Sequence, residues 1–199
     1  MSPLNVQMIV AGGSAGALDA LSLMLLALPR DFAVPVAVVL HLHPGKPSYL
    51  PQVLATKCAL RVKEAEDKEP LSPATVYIAP PNYHLLVERN RCFALSVDDP
   101  VLFSRPAIDV LFESAADALG ATTLGVLLSG GNDDGARGLD RIARTGGITL
   151  VQSPESAAVP TMPEAALRRN SVHRVLSPAD LGTFLAQLDR SSRLPSEGP

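Results

Sequence analysis

Ser14 stands in GGSAG (12–16), directly after the apolar run MIVA and directly before the helical pattern ALDALSLMLLALP (17–29). These five residues satisfy G-x-S-x-G, an arrangement that presents a serine hydroxyl at a sharp turn between a strand and a helix. Its glycines leave room for a substrate, and the following helix aims its first N–H groups at developing negative charge. Such a serine is a nucleophile only beside a base, with an acid to orient that base. HLH supplies His41 and His43, and SGGNDDG supplies Asn132, Asp133 and Asp134. Together these are the parts of an acyl-transfer triad. Residues 41 and 43 share a face of any strand, so alternation does not choose between the two histidines.

All three groups fall at the ends of predicted strands. VQMIVA (6–11), VPVAVVLHL (34–42), LRVKEAE (60–66), TTLGVLLSG (122–130), ITLVQ (148–152) and VHRVL (172–176) read as strands. Helical patterns cover 17–29, 46–56, 107–120, 135–145, 162–170 and 178–188. In 46–56, Pro47 suits a first turn while Pro51 argues against a helix. The segment 74–97 breaks the rhythm with three short strand-like pieces. HLLVE and CFALS flank Arg89-Asn90-Arg91 as an antiparallel hairpin. The alternation predicts an α/β fold: a doubly wound, mostly parallel sheet flanked by helices, with an antiparallel hairpin extension. In such sheets, active sites lie at the carboxyl ends of the strands, where Ser14, the histidines and the aspartates are expected. The tail DRSSRLPSEGP is polar and is expected to fray.

Other chemistries fit less well. The chain has 199 residues, 47% hydrophobic and 19% charged, with a formal net charge of -3, so it carries no basic footprint for nucleic acid. No 18-residue apolar stretch exists to enter a membrane, and Gly12, Gly13, Gly16 and Asp19 interrupt the only apolar N-terminal run. Cys58 and Cys92 form neither a disulfide framework nor a C-x-x-C site. HLH lacks a third metal ligand nearby, so no metal and no cofactor are expected. A dinucleotide loop would need glycine where Ala11 stands and a carboxylate after the second strand, and no Walker-type lysine is present. His84 and His173 read as structural or surface residues. One aspartate of NDDG is expected to cap the helix that begins near Gly135. These readings describe a cytoplasmic domain.

Six ordered segments then carry a resemblance. VAGGSAGALDAL, VVLHLHPG, VYIAPPNYHLLVE, RPAIDVLFESAA, LLSGGNDDGARGL and VQSPESAAVPTMPEAAL are similar to segments of the chemotaxis receptor-glutamate methylesterases, CheB type, in their catalytic domain. The likeness spans about residues 5 to 188. It implies Ser14 as nucleophile, His41 rather than His43 as base, and Asp134 rather than Asp133 as the acid. It places Ala15, Gly131 and Asn132 in the substrate and oxyanion neighbourhood. The implied reaction is hydrolysis of glutamate γ-methyl esters on the cytoplasmic helical region of a methylated receptor protein, with glutamine deamidation by the same route.

The sequence departs from the family pattern at Ala17, Leu40, Gly131, Asn132 and Pro81-Asn82, all positions that bear on substrate placement. Leu40, Gly131 and Pro81 motivate a second reading, a non-catalytic receptor or signalling binding module of the same fold; a third is a small-molecule esterase, as a domain without its regulator could have changed substrate. Residues 1–190 are expected to form the catalytic domain and 191–199 a disordered tail. No receiver domain is expected, so regulation would fall to a separate protein.

Overall fold

The computed structural model describes residues 5–41, 48–169 and 171–193. Its sheet strands are β1 (Met8–Gly13), β2 (Val36–Leu40), β3 (Arg61–Glu64), β4 (Thr75–Ile78), β7 (Thr123–Leu127), β8 (Ile148–Gln152) and β9 (Arg174–Leu176). They form one seven-stranded sheet in the order β3-β4-β2-β1-β7-β8-β9, and every neighbouring pair is parallel. The hairpin is separate: β5 (His84–Val87) pairs antiparallel with β6 (Phe93–Ser96).

Parallel strands covered on both faces must be apolar on both faces, and alternation sorts their side chains into two cores. Ile9, Ala11, Val36, Val38, Leu124 and Val126 join the core beneath α1 (Ala17–Leu26) and α6 (Pro178–Arg193). Met8, Val10, Ala37, Val39 and Val151 join the other core, beneath α3 (Ile108–Leu119), α4 (Ala136–Arg144) and α5 (Thr161–Leu167). Leu85, Val87 and Phe93 anchor the hairpin to that second core. The doubly wound architecture expected from the sequence is the one observed.

Three local readings change. α2 covers Leu50–Ala55 instead of 46–56, which puts Pro51 in the first turn, where a missing N–H costs nothing. Residues 46 and 47 lie outside the described residues. α6 continues to Arg193, five residues past the expected end and into the expected tail, because no proline or glycine stops it before Pro195. Neither aspartate of NDDG caps α4: its N-cap is Gly135, with no side-chain cap bond, and the capping carboxylate comes from Asp109 on another helix.

The order of strands sets the site. The chain leaves β1 toward β2 through α1 and leaves β7 toward β8 through α4, so the helices depart on opposite faces. The crevice of an open sheet lies where these directions diverge, outside the carboxyl ends of β1 and β7.

Candidate active site

The turn after β1 is held from the neighbouring strand end. The Ser14 N–H donates to the Ser129 carbonyl at 2.8 Å, and the Ala17 N–H donates to the Ser14 carbonyl at 3.0 Å. Gly16, at φ 75, lies in the left-handed region that glycine enters without a Cβ penalty, and it opens α1. A Cβ at this position would also stand 2.4 Å from that of Ala158. Buried Ser129 clamps the same turn with its side chain, donating to the Ala15 carbonyl at 2.7 Å and accepting from the Val159 N–H at 2.9 Å. Gln152 fixes Ser129 in turn, accepting its N–H at 2.9 Å. Ser14 is half-buried and Ala15 is exposed.

His41 follows β2 directly. Its N–H donates to the Gly13 carbonyl at 3.2 Å, which continues the β1–β2 ladder and sets His41 beside Ser14 at adjacent strand ends. Its Nε2 lies 2.7 Å from Oδ2 of Asp134, whose side chain is fully buried. The carboxylate also accepts the Ile108 N–H at 2.7 Å and the Asp109 N–H at 2.9 Å. Asp134 thus sits at the start of α3, with its charge at the positive end of that helix. Because a carboxylate only accepts, the hydrogen of the imidazole is on Nε2 and the lone pair is on Nδ1. In the familiar serine-protease arrangement, the aspartate holds Nδ1 and the serine faces Nε2. Here the aspartate holds Nε2 instead, which leaves Nδ1 without the carboxylate. The Ser104 hydroxyl lies 3.4 Å from the free Nδ1.

Asp109 answers Asp134. Its Oδ1 accepts the N–H groups of Gly135 at 2.9 Å and Gly138 at 2.7 Å, at the start of α4. Burial pushes its carboxyl up to about 6, and the nearby charge of Asp134 adds to this; the Gly138 N–H and the Arg137 guanidinium oppose it. Gly135, at φ 90, completes the loop, and a Cβ there would stand 2.7 Å from Cγ2 of Ile108.

The structure therefore brings Ser14, His41 and Asp134 to one end of the sheet. Asn132 belongs to the acid's loop and accepts the Asp134 N–H at 3.2 Å, while Gly131 is exposed. Asp133 is exposed and faces Arg168 at 3.5 Å. His43 lies outside the described residues. His84 is buried, accepts the Ala107 N–H at 3.2 Å and contacts the Asp99 carbonyl; His173 pairs with Thr149. Both are structural. Ser104, Asp109, Ser129 and Gln152 escaped the sequence reading. Only Asp109 had a local signal, an acid in the first turn of the RPAID helix.

A pocket of about 110 Å³ opens at His41, with Asn82, Phe103, Ser104 and Arg105 in its wall. A larger hollow of about 410 Å³, lined by Asp19, Ser22, Leu23, Leu26, Thr56 and Lys57, contains neither His41 nor Asp134. Among the described residues, no group of three or more His, Cys, Asp or Glu could hold a metal ion, and no helix is long and apolar enough to cross a membrane.

Comparison with known proteins gives a consistent picture. The family model described as CheB methylesterase matches residues 9–185. A Leptospira interrogans relative is 40% identical over 189 residues, covering 95% of this chain and 98% of its own length. The Myxococcus xanthus protein-glutamate methylesterase FrzG is 36% identical over 93% of this chain, which spans 55% of that protein. The crystal structure of the Thermotoga maritima CheB methylesterase catalytic domain superimposes with a TM-score of 0.88 at 32% identity, covering 92% of this chain and 98% of that one.

Proposed function

This chain belongs to the CheB methylesterase family, and we propose that it is a serine hydrolase that removes methyl groups from glutamate γ-methyl esters and deamidates glutamine side chains. Relatives such as that of Bradyrhizobium diazoefficiens are named protein-glutamate methylesterase/protein-glutamine glutaminase. The observation that carries the mechanism is the 2.7 Å contact between His41 and buried Asp134, made beside the strand end that bears Ser14.

Ser14 Oγ attacks the ester carbonyl while its proton passes to His41 Nδ1, the nitrogen that Asp134 leaves free. The C–O bond to the methoxy group then breaks, and Nδ1–H protonates the departing methoxide to methanol. Water, deprotonated by the same nitrogen, attacks the acyl-enzyme and releases glutamate and Ser14. Asp134 holds the ring and stabilises the imidazolium. The oxyanion forms near Ala15 at the start of α1 and beside Gly131 and Asn132, where helix N–H groups favour negative charge. For glutamine, ammonia replaces methanol as the leaving group.

The reading extends to partners. The substrate is the cytoplasmic helical region of a methylated receptor, and the enzyme acts in the cytoplasm. Residues 1–190 serve as the catalytic unit. The test is methanol release from methylated receptor fragments by wild type, Ser14→Ala and Ser104→Ala. Ser14→Ala should lose on the order of 10⁶-fold in turnover. An active Ser14→Ala enzyme beside an inactive Ser104→Ala enzyme would move the nucleophile to the Ser104 loop.

A further inference from the structure

Phe103 is fully exposed to solvent at the tip of a tight turn beside the base. Val101 and Ser104 close that turn with two backbone hydrogen bonds of 3.1 and 2.9 Å. Both central residues are left-handed, Leu102 at φ 47 and Phe103 at φ 64, where asparagine or glycine is usual. A leucine and a phenylalanine hold this conformation at a steric cost, and the Phe103 ring gains no burial against its own chain. The base of the turn is nonetheless firmly held. The Arg105 guanidinium donates to the Val97 carbonyl at 2.7 Å, the Asp98 carbonyl at 3.0 Å and Asn82 Oδ1 at 2.8 Å. The next residue in the turn, Ser104, is the one that reaches His41 Nδ1.

We propose that Phe103 is the docking anchor for the receptor helix, packing against an apolar side chain three or four positions from the methylated glutamyl residue. This inference rests on the function proposed above. His41, the base of the proposed mechanism, lines the same pocket as Phe103, so a polypeptide that brings a side-chain ester to His41 passes close to this turn. On a helix, positions three and four apart share a face and lie about one 5.4 Å turn away, within reach of a phenyl ring beside the pocket. An exposed aromatic on a hydrogen-bonded turn also offers the large apolar area of a binding hot spot.

The test uses two synthetic helical peptides with a glutamate γ-methyl ester, one with leucine four residues on and one with alanine there. Affinity is measured in the Ser14→Ala background, and methanol release with the Ser14 enzyme. Phe103→Ala should weaken the leucine peptide about tenfold and the alanine peptide far less, a non-additive pair. Phe103→Tyr, which keeps the ring, should restore the affinity, and equal melting temperatures confirm that all variants fold. Equal effects on both peptides, or none, would overturn the anchor. So would self-association that is lost in Phe103→Ala while peptide affinity stays unchanged, since the occupant would then be a second copy. Leu26→Ala, a 66% exposed apolar residue on α1, should leave peptide affinity as it was; an equal loss there would also overturn the anchor. Coupling without methanol release would sink the esterase reading and leave the anchor standing; methanol release without coupling would do the reverse.

Discussion

Asp134 and Asp109 cap each other's helices: Asp134 accepts the first N–H groups of α3, and Asp109, which belongs to α3, accepts those of α4. This exchange holds the Asp134 carboxylate through two N–H groups before it meets His41. The unsatisfied donors of two helix ends are paired by two carboxylates, and the same bonds hold the proposed acid in place.

The two neighbouring aspartates of the loop should therefore behave very differently. Asp134→Asn should reduce turnover about 10⁴-fold, because an amide favours the wrong histidine tautomer. It should also cost roughly 1–3 kcal/mol, since three N–H donors then share one acceptor oxygen. Asp133→Asn removes only an exposed contact with Arg168 and should change stability by about 1 kcal/mol or less. Turnover and urea unfolding on both variants check this, and the reverse ranking would shift the acid by one residue.

Asp109 should make stability depend on pH. Its carboxyl is raised from 3.8 to about 6 in the folded protein, which therefore binds its proton more tightly than the unfolded chain. The corresponding stabilisation is full below the unfolded value and is lost as pH rises through about 6. Asp109→Asn keeps an acceptor oxygen and cannot ionise. Relative to this variant, the wild type should lose roughly 3 kcal/mol between pH 4 and 7. Unfolding free energies of both proteins at each pH give the difference. A constant difference across that range would contradict the account.

Ser129→Ala should uncouple fold from chemistry. It leaves the half-buried Val159 N–H and the Ala15 carbonyl without their partner, at a cost of about 1 kcal/mol. Because Ser129 clamps the turn carrying Ser14, turnover should fall by about 10- to 100-fold even where the variant is fully folded. The check is kcat at a temperature well below the Tm of the variant. Unchanged kcat would mean that Ser129 supports only the fold.

Much was legible in the chain itself. Runs such as VAVVL, β-branched and apolar throughout, read as buried strands, and GGSAG between MIVA and a helical pattern marked the turn of Ser14. His41 and Asp134 were reachable as strand-end residues, although choosing them over His43 and Asp133 took the family register. Helix ends were less legible, as α2 and α6 show, because the signals at those ends are weak and local.

What the sequence determined by itself was the set of elements and the residue types delivered to one end of the sheet, because burial period and turn chemistry are encoded within a few residues. What only the tertiary structure decided was pairing at a distance. Asp109 caps a helix 26 residues on, Ser129 clamps a turn 114 residues back, and the Ser104 hydroxyl meets a histidine 63 residues away. Such contacts have no local signature, since each partner alone looks like an ordinary polar residue. They form because parallel crossovers return distant strand ends to one edge, where buried N–H and C=O groups must find partners.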